Sequence, residues 1–192
     1  MNPARENILN RVRAALRSPA HRPPLPTDAP FFPLVTDLEK RFSEELAALN
    51  GELLQTRADL DQFLAQFKNI ATDESELVAR VVGKSNAGVR EADLGVTACD
   101  CLVAQTGSVI VSTRSAGGRA WSVLPPAHLV VARRDQLLPD LAAALALLRQ
   151  RYDRHWPSAI SVISGPSRTA DIEKILVLGA HGPKRLAVYL AE

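Results

Sequence analysis

Cysteine is nearly absent from this chain of 192 residues: there are two, Cys99 and Cys101, one residue apart. Cysteines so close join only with strain, and no third offers a partner, so a cytoplasmic location without a disulfide framework is expected. The Cys99-Asp100-Cys101 triplet also lacks C-x-x-C spacing and a second ligand cluster. No zinc or iron–sulfur site is therefore expected, and both thiols read as core residues. Long hydrophobic runs are missing too. The longest candidate, Leu137 to Leu148, is interrupted by Pro139 and Asp140 and falls short of the ~18–20 residues that cross a bilayer. Neither GxGxxG nor a Walker loop occurs, which leaves nucleotide cofactors without support and the cofactor question open. A broad excess of one charge is lacking as well. Residues 1–22 hold five arginines against Glu6, a local charge of +4, so the formal total of +2 leaves −2 for the remainder. That distribution excludes a nucleic-acid binder with an extended basic face.

What is present suffices for one core, since 46% of the residues are hydrophobic. Pro3 to Arg17 reads as a helix, with Ile8, Val12, Ala15 and Leu16 forming one apolar stripe. An ordinary docking helix explains that stripe better than a targeting peptide. Six prolines between Pro19 and Pro33 then make an extended linker. The expected organisation is an N-terminal helix and linker over 1–33 and an α/β domain over 34–192. Thr36-x-x-Glu39 reads as a capping box opening a helix that Gly51 stops. Glu52 to Gln55 reads as a short strand and Arg57 to Phe67 as a helix, while 73–82 fits either helix or strand.

From residue 94 the texture changes to short β-branched runs, at 94–98, 101–104, 108–112 and 128–132. One long helix, Asp135 to Tyr152, is expected next, with Leu137, Leu138, Leu141, Leu145 and Leu148 as its stripe. A strand at 160–163, a short helix at 170–175 and a final strand at 185–190 complete the pattern. Near-continuous apolar strands interleaved with helices imply a largely buried, mostly parallel sheet flanked by helices.

Three loops carry polar chemistry. In the first, Thr106 and Ser108 flank Gly107, offering hydroxyls and room for a ligand to approach the backbone. A simple hairpin turn fits equally well. In the second, Gly117 and Gly118 lie between Arg114 and Arg119, a cationic loop suited to a carboxylate or phosphate. The third is Gly165-Pro166-Ser167-Arg168-Thr169, leading through Asp171 into the expected helix. A helix start there would aim backbone N–H groups, its dipole and Arg168 at one anion. His128, before an apolar strand, and His181, between two glycine turns, are candidate ligand contacts or acid/base groups.

Taken in order, Ala104-Gln105-Thr106-Gly107-Ser108, Gly117-Gly118-Arg119, Leu124-Pro125-Pro126-Ala127-His128 and Gly165 through Glu173 resemble the lactate utilization protein C family, whose core is the LUD domain. Leu178-Gly179-Ala180-His181-Gly182-Pro183 completes the set, and Arg5 to Leu16 resembles the family's opening. The resemblance implies a fold similar to the sugar-phosphate isomerase and CoA-transferase group. It also implies a part in bacterial oxidation of L-lactate to pyruvate beside companion proteins that carry iron–sulfur clusters. The chain's own molecular activity stays open: a subunit binding a small anionic metabolite, a freestanding enzyme for a phosphorylated or CoA-linked metabolite, or a regulatory module. The family usually has Glu where this chain has Gln105. A carboxamide neither titrates near neutral pH nor acts as a nucleophile, so no carboxylate mechanism can run at that position.

Overall fold

The computed structural model describes residues 3–17, 34–73, 75–115, 117–169, 177–179 and 181–191. The chain divides into two compact units, residues 1–33 and 34–192. In the first, helix α1 runs Pro3–Leu16 and buries none of its side chains; Ile8, Val12 and Leu16 are each at least half exposed. The proline linker, the expected helix at 170–175 and Asp171 lie outside the described residues.

The second unit opens with α2 (Leu38–Ala48), β1 (Glu52–Leu54), α3 (Arg57–Leu64), β2 (Ile70–Thr72) and α4 (Glu76–Val81). Next come β3 (Leu94–Thr97), β4 (Cys101–Val103), β5 (Ser108–Ser112), α5 (Ala120–Val123) and β6 (Ala127–Arg133). The rest is β7 (Leu137–Leu138), α6 (Leu141–Tyr152), β8 (Ile160–Ile163), β9 (Arg168–Thr169), β10 (Val177–Leu178) and β11 (Arg185–Ala191).

Five strands form an all-parallel sheet in the order β1-β11-β6-β3-β2. Strand alternation sends its side chains to two different cores. Leu129 and Val131 of β6 join Leu60, Phe63 and Val78 beneath α3 and α4. Val130 and Ala132 face the other way, onto Phe42 and Leu46 of α2 and onto Leu102, Val109 and Val111. Those last three belong to a second sheet of four strands, ordered β7-β4-β5-β8, which the sequence pattern did not separate from the first. Its outer face, Cys101, Val103 and Ile110, packs beneath Ala144, Leu148 and Tyr152 of α6. The parallel sheet thus has helices on one face and, on the other, α2 with a second sheet.

Several boundaries differ from the sequence reading for identifiable reasons. The N-cap of α2 is Asp37, which accepts from the Lys40 N–H at 3.0 Å, so the expected Thr36–Glu39 box is not formed. A capping box forms instead at α3, between Thr56 and Asp59. The expected long helix from Asp135 is cut. Arg134–Gln136 is a 3₁₀ turn, Leu137 and Leu138 pair with Leu102 and Val103, and α6 begins only after Pro139, with Asp140 as N-cap. Proline cannot sit inside a helix, whereas the two leucines gain a sheet partner. The buried stripe of α6 is accordingly Ala144, Leu148 and Tyr152, while Leu141 and Leu145 are exposed. Residues 76–81, ambiguous in sequence, are helical; β2 was missed because three residues are too few to show alternation.

Candidate functional site

The carboxyl ends of parallel strands are where backbone geometry leaves a crevice for ligands. Here that edge is organised by two buried carboxylates. Asp73, just past β2, donates its N–H to the Val96 carbonyl at 2.9 Å and accepts from the Ala98 N–H at 2.8 Å, tying β2 to β3. Its other oxygen accepts from the Ser75 N–H and hydroxyl, at 3.0 and 2.6 Å. Asp100, between β3 and β4, has no exposed surface. It accepts from the Tyr152 hydroxyl at 2.5 Å, the Ser115 hydroxyl at 2.8 Å and the Arg151 guanidinium at 2.9 Å. Burial and the Asp100 bond together push the Tyr152 phenol above its ordinary range.

Of these two carboxylates Asp100 holds, through Ser115, the loop that carries Gly117, Gly118 and Arg119. Ser112 and Ser115 exchange bonds at the loop's start, the Ser112 N–H donating at 2.9 Å and the Ser115 N–H at 3.1 Å. Gly117 has φ +61°, beside Asp73, and Gly118 has φ +120°. Only glycine takes both conformations without strain, and neither residue shields its amide with a side chain. Arg119 is exposed at the loop's end, and no carboxylate among the described residues pairs with it. The loop therefore presents a guanidinium beside bare backbone, while the Asp100 carboxylate that anchors it is engaged by Tyr152, Ser115 and Arg151. That arrangement suits an anion.

The other expected loops do not converge here. Ser108 and Ser112 lie at opposite ends of β5, about 13 Å apart along the strand, and the Thr106–Ser108 turn and Ser164, next to Gly165, meet at the Ser108 end. Thr106, Ser108 and Ser164 join their hydroxyls at 2.8 and 2.7 Å. Gly107 packs against α2 so closely that a Cβ would lie 2.4 Å from the Leu46 nitrogen, so its role is this backbone approach. Gln105, in the same 3₁₀ turn, donates its N–H to the Pro139 carbonyl at 3.0 Å.

Arg168 requires a correction. With Thr169 it forms β9, paired antiparallel with β10, and the helix expected after it lies outside the described residues. The Ser167 N–H, expected to be free for a ligand, donates to the Pro183 carbonyl at 2.9 Å, which joins this turn to the one carrying the exposed His181. The Arg168 guanidinium donates at 2.6 Å to the Leu49 carbonyl at the end of α2, and Gly165 abuts the same carbonyl. A cation on an unsatisfied helix-end carbonyl is a capping contact. Arg168→Ala should lower stability by about 1 kcal/mol, read as a small fall in urea midpoint, with ligand binding at the Arg119 loop retained.

His128 is also corrected. It is fully buried, with Nε2 2.9 Å from the Thr97 hydroxyl and Nδ1 lacking any partner among the described residues; Trp121 Nε1 is likewise buried and unpartnered. Burial lowers its pKa to about 4, so the ring is neutral near pH 7 and does not reach a ligand at the surface. Burial raises both thiols, Cys101 to about 11, which keeps them protonated in the core. Asp100 was the residue that sequence reasoning missed. The available signal was a carboxylate set between two apolar strands.

An α/β protein with a parallel sheet and a glycine–arginine loop at its carboxyl edge is the class that this architecture defines. Residues 54–191 match the LUD domain, and the chain belongs to that family. It is 33% identical over 105 residues to "Lactate utilization protein C 1" of Bacillus mycoides (strain KBAB4), covering 54% of this chain and 45% of that protein. It is 30% identical over 153 residues to "Uncharacterized protein YkgG" of Escherichia coli (strain K12), covering 79% and 64% respectively. The first of these alignments thus spans under half of the relative's own length. The crystal structure of a DUF162 family protein from Deinococcus radiodurans superposes with a TM-score of 0.60, over 81% of this chain and 96% of that one, at 19% identity. That likeness concerns the fold.

Proposed function

We propose that this chain is a subunit of a bacterial system that oxidises L-lactate to pyruvate, and that its Gly117–Arg119 loop binds the small anionic substrate or product. Similarity to proteins named for lactate utilization supports the pathway. The observation that supports the site is the exposed Arg119, without a carboxylate partner among the described residues, on a loop tied to buried Asp100 through Ser115. The guanidinium fork fits a carboxylate bidentately, and the bare amides of Gly117 and Gly118 add donors beside it. On this reading electrons leave through iron–sulfur companion proteins, and the buried, protonated thiols of this chain are core residues. Its own part is binding and orientation.

The test is growth on L-lactate of a strain whose chromosomal copy is deleted and then restored in wild-type or Arg119→Ala form. Deletion should abolish growth on L-lactate while sparing growth on pyruvate. Arg119→Ala should reproduce that loss with an unchanged melting temperature, since losing one bidentate contact weakens anion binding by about 10- to 100-fold. Normal growth of the deletion strain on L-lactate would reject the pathway. Normal growth with Arg119→Ala alone would reject the site.

A further inference from the structure

A second cluster of cations lies on the same sheet edge, on the side away from β3 and β2. Between the ends of β1 and β11 is a groove of about 500 Å³ with Tyr189, Leu190 and Ala191 along its wall. Three arginines from separate elements meet there: Arg57 opens α3, Arg80 lies in the last turn of α4, and Arg134 follows β6. No acidic side chain lines the groove among the described residues.

Two of these guanidiniums are held in place from behind. Arg57 donates to the Val81 carbonyl at 2.9 Å and pairs with Asp61 at 2.9 Å, while Arg134 pairs with Glu39. Asp61 is exposed and Glu39 half-buried, so solvent screens the Arg57 pair more than the Arg134 pair. Arg80 is exposed and has no carboxylate partner among the described residues. Gln55 and Thr56, at the start of α3, also line the groove, and their N–H groups already donate to the Asp59 carboxylate at 3.3 and 2.9 Å. Three arginines from separate elements thus line a groove whose own wall has no acidic side chain among the described residues. Two of them share their charge with acids outside it and Arg80 keeps its own, a pattern that favours an anion with several oxygens.

Size and charge narrow the ligand class. A groove of about 500 Å³ falls in the range of pockets that hold ligands much larger than a three-carbon acid. Three guanidinium forks exceed what one carboxylate can accept, but match the oxygens of two linked phosphoryl groups. We infer that this groove binds a diphosphate group, with Arg80 as its main contact and Arg57 and Arg134 as pre-positioned flanking donors. The inference does not depend on the lactate reading, because it uses other residues.

Isothermal titration of the full chain with pyrophosphate and, separately, with ADP tests it. Saturable binding of at least one probe is expected at one site per chain. Tighter binding of ADP assigns an organic diphosphate, with Tyr189 offering apolar surface to the organic part; tighter binding of pyrophosphate assigns the free anion. Arg80→Ala should weaken binding by about 10-fold or more at unchanged melting temperature, and Arg80→Lys should recover only part of the loss. Arg149→Ala, on the exposed face of α6, should bind as the wild type does. Absence of saturable binding, or equal losses in Arg80→Ala and Arg149→Ala, would overturn the assignment.

Discussion

Asp100→Ala should cost about 3 kcal/mol of stability, at the lower end of what losing one partner of a buried ion pair usually costs. The carboxylate is inaccessible and serves three donors at once: Tyr152, Ser115 and Arg151. The effect falls at the lower end because the survivors have somewhere to go. Arg151 is 39% exposed and can turn to water, and the Tyr152 hydroxyl keeps Ser112 at 2.9 Å. Ser115 is the more consequential loss, since it joins the buried network to the loop that ends in Arg119. Urea denaturation should therefore show a lower midpoint, and anion binding at Arg119 should weaken in the fraction that remains folded. Asp100→Asn retains an acceptor for Tyr152 and Arg151, so its cost should be less than half as large. Equal stability of the wild type and Asp100→Ala would show that the network merely fills space.

Acid should destabilise the fold through His128. Its folded pKa of about 4 lies below the ordinary value of 6.5 because burial opposes the charged ring. Between these values the unfolded chain binds a proton that the folded chain does not, so stability is complete above pH 6.5 and falls as pH drops toward 4. The full loss approaches about 3 kcal/mol. Urea midpoints measured at pH 7.5, 5.5 and 4.5 should fall in that order. In His128→Gln, which keeps a polar group near Thr97 without a titrating ring, the decline over this window should flatten. The carboxylates contribute their own acid sensitivity, so the diagnostic quantity is the difference between wild type and variant. An unchanged slope in His128→Gln would refute the assignment.

The strands were legible in the sequence because a sheet buried on both faces needs continuous β-branched and aliphatic side chains, as in Leu94–Thr97, Ser108–Ser112 and Ala127–Arg133. The 192-residue sequence also marked Gly117, Gly118 and Arg119, since two glycines between arginines are rarely needed for packing. Other marked residues proved to have local structural partners. Gly107 and Arg168 are spent on α2, which lies some 60 and 120 positions earlier in sequence, as the Arg168–Leu49 bond shows with its separation of 119.

Local chemistry by itself determined most of the helices and strands, the family resemblance, and the loop that presents Arg119. Periodicity, caps and turn residues act over a few neighbours, and they are written in order along the chain. Only the tertiary structure decided that the strands split between two sheets, and that Leu137 and Leu138 leave the helical pattern for a place beside β4. It alone divided the polar loops between opposite ends of β5. It alone assembled Asp100 with Ser115, Arg151 and Tyr152, and Arg57 with Arg80 and Arg134. Such groups meet through the packing of distant elements; for Asp100 the need to pair a buried charge chooses the partners. No short stretch of sequence carries that information.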